Sequence, residues 1–423
     1  MFSRSTLSGN LHKTSGAHLA LLTVLVLVEA ILLLALSSAP ADAATTFTVN
    51  KTGDVADRKI TDAACDVSRK RGKQCTLRAA LEEANDTFGA DTINFRLGGT
   101  APVKTINVGS SGLEPLPEIR DSVTINGYSQ PGSKPNTLAA GNDAVLKIEL
   151  NGSGAGLSDG LMITGGQNTI KGLVINNFEG DGIEISGIEA RGNRVEGNFI
   201  GTDANGAEAR DNDYGVKIDG STSNTSGGTE PAQRNLISGN DQDDVLFNKE
   251  GGSLGSDPPT HNTVRNNIIA NNTGRGVVIS KGTGNSVLSN QIFSNGALGI
   301  DLGGSGVTAN DLAANKDADT GSNNLQNLPV ITSVSSGPIA TTISGTLNSN
   351  PDQSYTIECH RSDGDPSDYG EGQALLDTTT IATDADGNAN FVCVFPGRIS
   401  GQVSATATNK TTGDTSEFSQ NTS

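Results

Sequence analysis

Apolar residues in this chain come in runs of three or four, separated by polar corners, and the runs recur in a fixed order. One recurring unit is Asn-x-Ile or Asn-x-Val: Asn168-Thr169-Ile170, Asn193-Arg194-Val195, Asn235-Leu236-Ile237, Asn262-Thr263-Val264 and Asn285-Ser286-Val287. Successive starts lie 25, 42, 27 and 23 residues apart, and the 42-residue interval predicts a long loop within residues 221–234. A second unit is a small residue followed by a strand: Gly182-Ile183-Glu184-Ile185, Gly215-Val216-Lys217-Ile218, Gly276-Val277-Val278-Ile279 and Gly299-Ile300-Asp301-Leu302, with Asp244-Val245-Leu246-Phe247 as a degenerate copy. An order that repeats rather than reflects does not build hairpins. It predicts a parallel β-helix whose coils stack about 4.8 Å apart. At about 24 residues per coil, residues 101–310 give about eight or nine coils and a rod of roughly 40 Å. Inward Ile and Val stack on the like residue of the next coil, and corner Asn residues adopt left-handed backbone and bond along the stack.

Both ends of the array change period. Leu77, Ala80, Leu81 and Ala84 fall at i, i+3, i+4 and i+7, which predicts a short helix with Thr76 as its N-cap. A helix this short needs a surface to cover. Residues 340–347, 354–360, 374–381, 389–395, 402–409 and 415–419 read as strands of a β-sandwich, with a hairpin turn at Asp384–Asn388. Alternation puts Tyr355, Ile357 and Cys359 on one face, and Phe391, Cys393 and Phe395 on another.

Composition then narrows the class. Glycine fills 53 of 423 positions, tryptophan is absent and the formal net charge is −18. This argues against a helical bundle, and against sequence-independent attachment to nucleic acid or anionic lipid, which needs a basic face. Arg4 and Lys13, the apolar run Leu19–Leu36 broken by Glu29, and Ala41-Asp42-Ala43 form an export signal that would leave a mature chain starting at Ala44. No later apolar stretch approaches spanning length, so the mature chain is expected to hold no membrane span. The four cysteines allow three pairings. Cys65–Cys75 with Cys359–Cys393 is favoured, because each pair lies within one domain and Cys359 and Cys393 both point inward. A zinc site has little support, since no C-x-x-C occurs and the mature chain holds only His261 and His360.

Cys75-Thr-Leu-Arg-Ala-Ala80 with Glu83-Ala-Asn85 resembles the CSLREA motif of exported bacterial proteins, with Ala79 standing where the motif has Glu. The repeats resemble right-handed parallel β-helix (PbH1) repeats. Asn198-Phe-Ile-Gly-Thr-Asp203, Asn323-Asn-Leu-Gln-Asn-Leu-Pro-Val330, Gly370-Glu-Gly-Gln373 and Thr415-Ser-Glu-Phe-Ser419 resemble recurrent phrases of the same group. The expected fold is therefore all-β: a right-handed parallel β-helix with a short N-terminal helical cap, followed by a small Ig-like β-sandwich. The expected boundaries are 1–43 for the signal peptide, 44–100 for the cap, 101–328 for the β-helix and 329–423 for the sandwich.

Candidate chemistry is sparse. The strand alignment stacks Asp181, Tyr214, Asp243, Arg275 and Leu298 in one row, and Glu184, Lys217, Leu246, Val278 and Asp301 in another. Asp181 and Arg275 stand about three coils apart, roughly 14 Å, too far to cooperate. Asp243 and Arg275 sit on adjacent coils and read as an ion pair. Asp317, Asp319 and Asn323 fall at alternate positions of an acidic loop and are the candidate metal ligands, for Ca²⁺, against the plainer reading of a polar linker. No catalytic residue is assigned. The expected role is a secreted or cell-surface protein of non-catalytic binding or display, adhesion-type, with extracellular polysaccharide or cell-surface components as partners. The alternative is a carbohydrate-active enzyme, a polysaccharide lyase or glycoside hydrolase, working on an outward face. Converging carboxylates beside a basic residue in a cleft would favour the enzyme.

Overall fold

A computed structural model describes residues 44–423 apart from 61, 111, 113, 114, 250–256 and 363–366; the expected signal peptide lies outside the described residues. Each regular coil gives one strand to each of three parallel sheets, of eight, seven and six strands. Within a strand the outer residues of each triplet point in and the middle one points out. Ile163, Ile185, Ile218, Phe247, Ile279 and Leu302 thus form one row of in-register partners along the third sheet. Ile183 and Val216 belong to the row beside it, and Ile183, Ile218 and Ile279 are fully buried. The small residue before each of these strands has a steric cause: a Cβ at Gly276 would stand 2.6 Å from the Gly299 carbonyl oxygen of the next coil.

Two expectations need correction. The stack begins at Thr46, because Thr46–Val49 pairs in parallel with Asp91–Phe95, which pairs with Val123–Asn126. Residues assigned to a separate cap therefore supply the first two strands of the longest sheet. The 42-residue interval mixes two rows of one coil, because Asn235 belongs to the row of Asn198. Asn224, not Asn235, continues the row of Asn168 and Asn193, and Thr225–Gly227 is its strand. Ser226 fills the inward position there, so no apolar residue marked it.

The Asn corners form ladders. Asn193 Oδ1 accepts from both the backbone N and the Nδ2 of Asn168, and Asn262 and Asn285 repeat the arrangement further along. A second ladder runs Asn198, Asn235, Asn267, Asn290, and a third Asn212, Asn240, Asn272, Asn295. Every rung satisfies a buried amide donor that the sheets leave free at the corners.

The first coil is closed by the helix Leu77–Ala84, with Thr76 Oγ1 accepting from Ala79 N at 3.2 Å. The cap thus survives the Ala79 departure. Arg78 is 5 % exposed and grips Asp54 through Nε (2.8 Å) and Nη2 (3.0 Å), while Nη1 donates to the Pro115 carbonyl. Asn85 accepts from Arg120 N and donates to the Glu118 carbonyl. The quoted N-terminal motif is thus a set of ties holding the insertion against the first coils. The bond Cys65–Cys75 lies beside it, and Cys359–Cys393 joins the two sheets of the C-terminal unit, as expected.

That C-terminal unit is a small sandwich of two three-stranded antiparallel sheets. The expected strand at 415–419 is absent. An additional edge strand, Val330–Ser336, takes part instead. Residues 415–419 lie against the last coil: Thr415 Oγ1 accepts from Val287 N, Glu417 Oε1 accepts from Leu302 N, and the Phe418 ring joins the solenoid core. Glu358 accepts from Ser289 N at 2.8 Å, Asp414 from Gly284 N at 2.6 Å, and Glu371 from both N and Nδ2 of Asn295. Carboxylates of the sandwich thus complete the bonds that a further coil would have made.

Replacing Glu371 by Ala removes the acceptor of the part-buried Asn295 N and leaves Asn295 Nδ2 only the Ile269 carbonyl at 3.4 Å. It is expected to cost about 1–3 kcal/mol in denaturant unfolding, against less than about 0.5 kcal/mol for the surface control Glu208→Ala.

Candidate functional site on the outer faces of the solenoid

Outward positions of the third sheet collect charge. Asp159 precedes the strand Leu161–Ile163, Asp181 precedes Ile183–Ser186, and Glu184 lies within it. Lys217 sits opposite Glu184 on the next strand. The Lys217 ammonium stands 3.5 Å from Asp181 Oδ2 and 3.7 Å from Glu184 Oε1. Carboxylate oxygens of Asp159, Asp181 and Glu184 lie within 4.8 Å of one another. Asp181 N also donates to Asp159 Oδ1 at 2.7 Å. Burial pushes the Asp181 carboxyl up to about 7, with Lys217 opposing and Asp159 and Asp213 adding to it. Burial likewise pushes Glu184 up to about 7, again against Lys217. A divalent cation would have to displace the Lys217 ammonium, so this donor set suits proton holding better than metal binding.

The row three residues earlier, which starts at Asp181, continues differently. Arg275 makes a two-pronged contact with Asp243, at 2.9 and 3.0 Å, and reaches Asp301 at 3.0 Å. The expected Asp243–Arg275 pair is there, and it staples neighbouring coils.

On the outer face of the second sheet lies a groove of about 460 Å³. Pro102 and Val103 give it an apolar wall, and Lys147, Glu149, Asp203 and Arg210 its charged groups. The segment from Asp203 to Arg210 is an insertion between the strands Phe199–Ile200 and Val216–Asp219. It therefore ends three residues before Asp213, and groove and carboxyl cluster share the same coils. Both carboxylates of the groove are committed to the fold. Glu149 accepts from Thr105 Oγ1, Asn176 Nδ2 and Arg210 Nη1. Asp203 accepts from the backbone N of Asn205, Ala207 and Glu208. Burial would raise Asp203, but those donors outweigh it and hold the carboxyl below its usual range.

The 315–323 loop separates its expected ligands. Asp317 is 4 % exposed and accepts from Asn327 N, Gln326 Nε2 and Ser349 Oγ. Asn323 turns the other way and ends the first ladder, its Oδ1 accepting from Asn285 N and its Nδ2 donating to the Asn285 and Thr415 carbonyls. Asp319 faces Asp311, and burial raises its carboxyl. Lys316, Asp317, Asn323 and Asn324 adopt positive φ of 56°, 58°, 46° and 51°, and these turns carry Asn323 away from Asp317. Sequence reasoning aligned Glu184 with Lys217 but missed Asp159, whose loop carries no repeat signature, and missed the groove, which insertions build.

A family model for the right handed beta helix region matches residues 142–316. None of the curated proteins compared with the chain matches it. Among solved structures, the Dettilon tailspike protein gp208 is similar at 11 % identity and a TM-score of 0.20, over 83 % of this chain and 94 % of that one. The tailspike protein gp49 of Acinetobacter baumannii bacteriophage Fri1, a capsular polysaccharide depolymerase, is similar at 9 % identity and a TM-score of 0.15, over 78 % and 77 %.

The raised carboxyls fix a pH dependence. A carboxyl whose folded value exceeds its unfolded value favours the fold most when protonated in both states, so its contribution falls as pH rises from about 4 to about 7. Asp181→Asn is expected to flatten the decline of melting temperature across that window and to melt above the wild type at pH 8. Some slope remains, because Glu83 and Glu417 are also pushed up to about 7. Parallel wild-type and variant curves would contradict the assignment.

Proposed function

We propose that this is an exported, cell-surface or secreted glycan-binding protein, with a CSLREA-type N-terminal cap, a rigid solenoid that lays a sugar chain along its outer face, and an Ig-like C-terminal unit. The observation that carries the reading is the groove on the second sheet. It joins an apolar wall to charged groups held on the strand Ile148–Asn151 and the segments beside it, the mixture that sugar rings need for apolar contact and directional hydrogen bonds. Support for an extracellular address comes from the two disulfides. Among the described residues no helix is long and apolar enough to cross a membrane.

A second reading, hydrolysis of the bound chain, is favoured by one observation. Asp181 and Glu184 hold protons near neutral pH beside Asp159 and Lys217, as a general acid and its partner carboxylate require. One experiment addresses both. Residues 44–423 are screened on a panel of soluble and cell-wall polysaccharides, reading retention and release of reducing ends. Retention without product supports the binding reading. Product that disappears in both Asp181→Asn and Glu184→Gln supports hydrolysis. Retention of no polymer would overturn the proposal.

A further inference from the structure

We infer that the groove on the second sheet takes an acidic polysaccharide, a sugar chain bearing carboxylates, with Lys147 and Arg210 as its anion contacts. This rests on the glycan-binding reading above and narrows its ligand class. Side chains of the groove differ in how much hydrogen-bonding capacity the fold leaves unused. The groove contains two carboxylates and two cations, a balance that by itself selects nothing. The carboxylates, however, have little left to give: Glu149 is 7 % exposed and holds three donors, and Asp203 is 9 % exposed and holds its own turn together. The cations are in the opposite condition. Among the described residues no hydrogen bond or ion pair occupies the Lys147 ammonium. The Arg210 side chain is 46 % exposed and uses only Nη1, at 3.1 Å from Glu149 Oε1, leaving the Nε and Nη2 donors of its fork free. Glu149 thus orients Arg210 without consuming it. What the groove still offers a ligand is donors carrying positive charge, and a ring carboxylate is the sugar substituent that answers them, accepting from a guanidinium fork two bonds at once.

The net charge of −18 does not oppose this at the contact itself. At physiological ionic strength distant charges are screened beyond about 8 Å, so the local pair decides. Lys104, next to Val103 in the chain, turns two of its three donors onto the Gly99 and Ala101 carbonyls.

The test compares polygalacturonate with neutral dextran and with dextran sulfate, by affinity electrophoresis and calorimetry on residues 44–423. Polygalacturonate is expected to bind best and to weaken as salt is raised. Lys147→Gln, at a side chain that holds nothing in the fold, is expected to weaken it about tenfold, the loss of one charge-assisted contact. Arg210→Lys is expected to weaken it similarly, keeping charge but losing the fork. Dextran bound as well as polygalacturonate, or variants that bind polygalacturonate like the wild type, would overturn the acidic-ligand inference and leave glycan binding standing. Preference for dextran sulfate with no effect of Arg210→Lys would overturn the carboxylate assignment. Binding of none of the three, together with an empty result on the wider panel, would overturn both readings.

Discussion

A buried amide donor needs an acceptor, and a stack of parallel coils supplies acceptors only to its interior. The structure is organised around that requirement. Inside the stack, sheet bonds serve the strands, and Asn side chains serve the corners, each Oδ1 taking donors from the preceding coil. At the last coil no neighbour follows. Asp414, Glu358, Glu371 and Glu417 then stand where the next coil's oxygens would be, and Asn323 supplies the final rung of the first ladder. An uncapped end would expose paired-edge geometry to another chain, the usual route to edge association. The C-terminal sandwich is therefore part of the solenoid's stability.

The closed scaffold sets the terms for the outer surface. Because inward rows and ladders carry the stacking, outward positions are free to hold groups that cost stability. Arg275 spends that freedom on stapling coils together through Asp243 and Asp301. Asp159, Asp181, Glu184 and Lys217 spend it on a buried charge cluster, which burial makes unfavourable when ionised. The groove differs again. Its carboxylates are held by donors of the fold, so its free capacity lies in Lys147 and Arg210. The carboxyl cluster and the groove thus lie on two faces of the same coils.

Much of the fold was legible in the sequence, because the parallel stack converts register into a visible repeat. The inward positions of Ile183, Ile218 and Ile279 and the lateral match of Glu184 with Lys217 follow from period alone. The helix Leu77–Ala84 was legible from its stripe and its Thr76 cap. What failed did so where the period is interrupted. Ser226 stands where the other coils carry an apolar residue and concealed the strand Thr225–Gly227. Thr46–Val49 stands apart from its partner Asp91–Phe95 across the helical insertion, so no spacing announced it as a rung. The alternate oxygens of the loop from 315 to 323 suggest a Ca²⁺ loop, but left-handed residues divide Asp317 from Asn323. The phrases around Glu371 and Glu417 were recognisable as strings, but their role needs the last coil in place. A groove built by insertion, such as the one at Arg210, leaves no periodic trace.

The account stands or falls on the last coil being bonded as tightly as an interior one. Hydrogen exchange read at single residues tests this directly. The amides of Asn285, Ser289, Asn295 and Leu302 have acceptors on Asn323, Glu358, Glu371 and Glu417. They are predicted to exchange as slowly as those of Asn262, Asn267 and Asn272 one coil earlier. Exchange at loop-like rates in these four amides, with the preceding coil still protected, would contradict the claim that the C-terminal unit closes the stack.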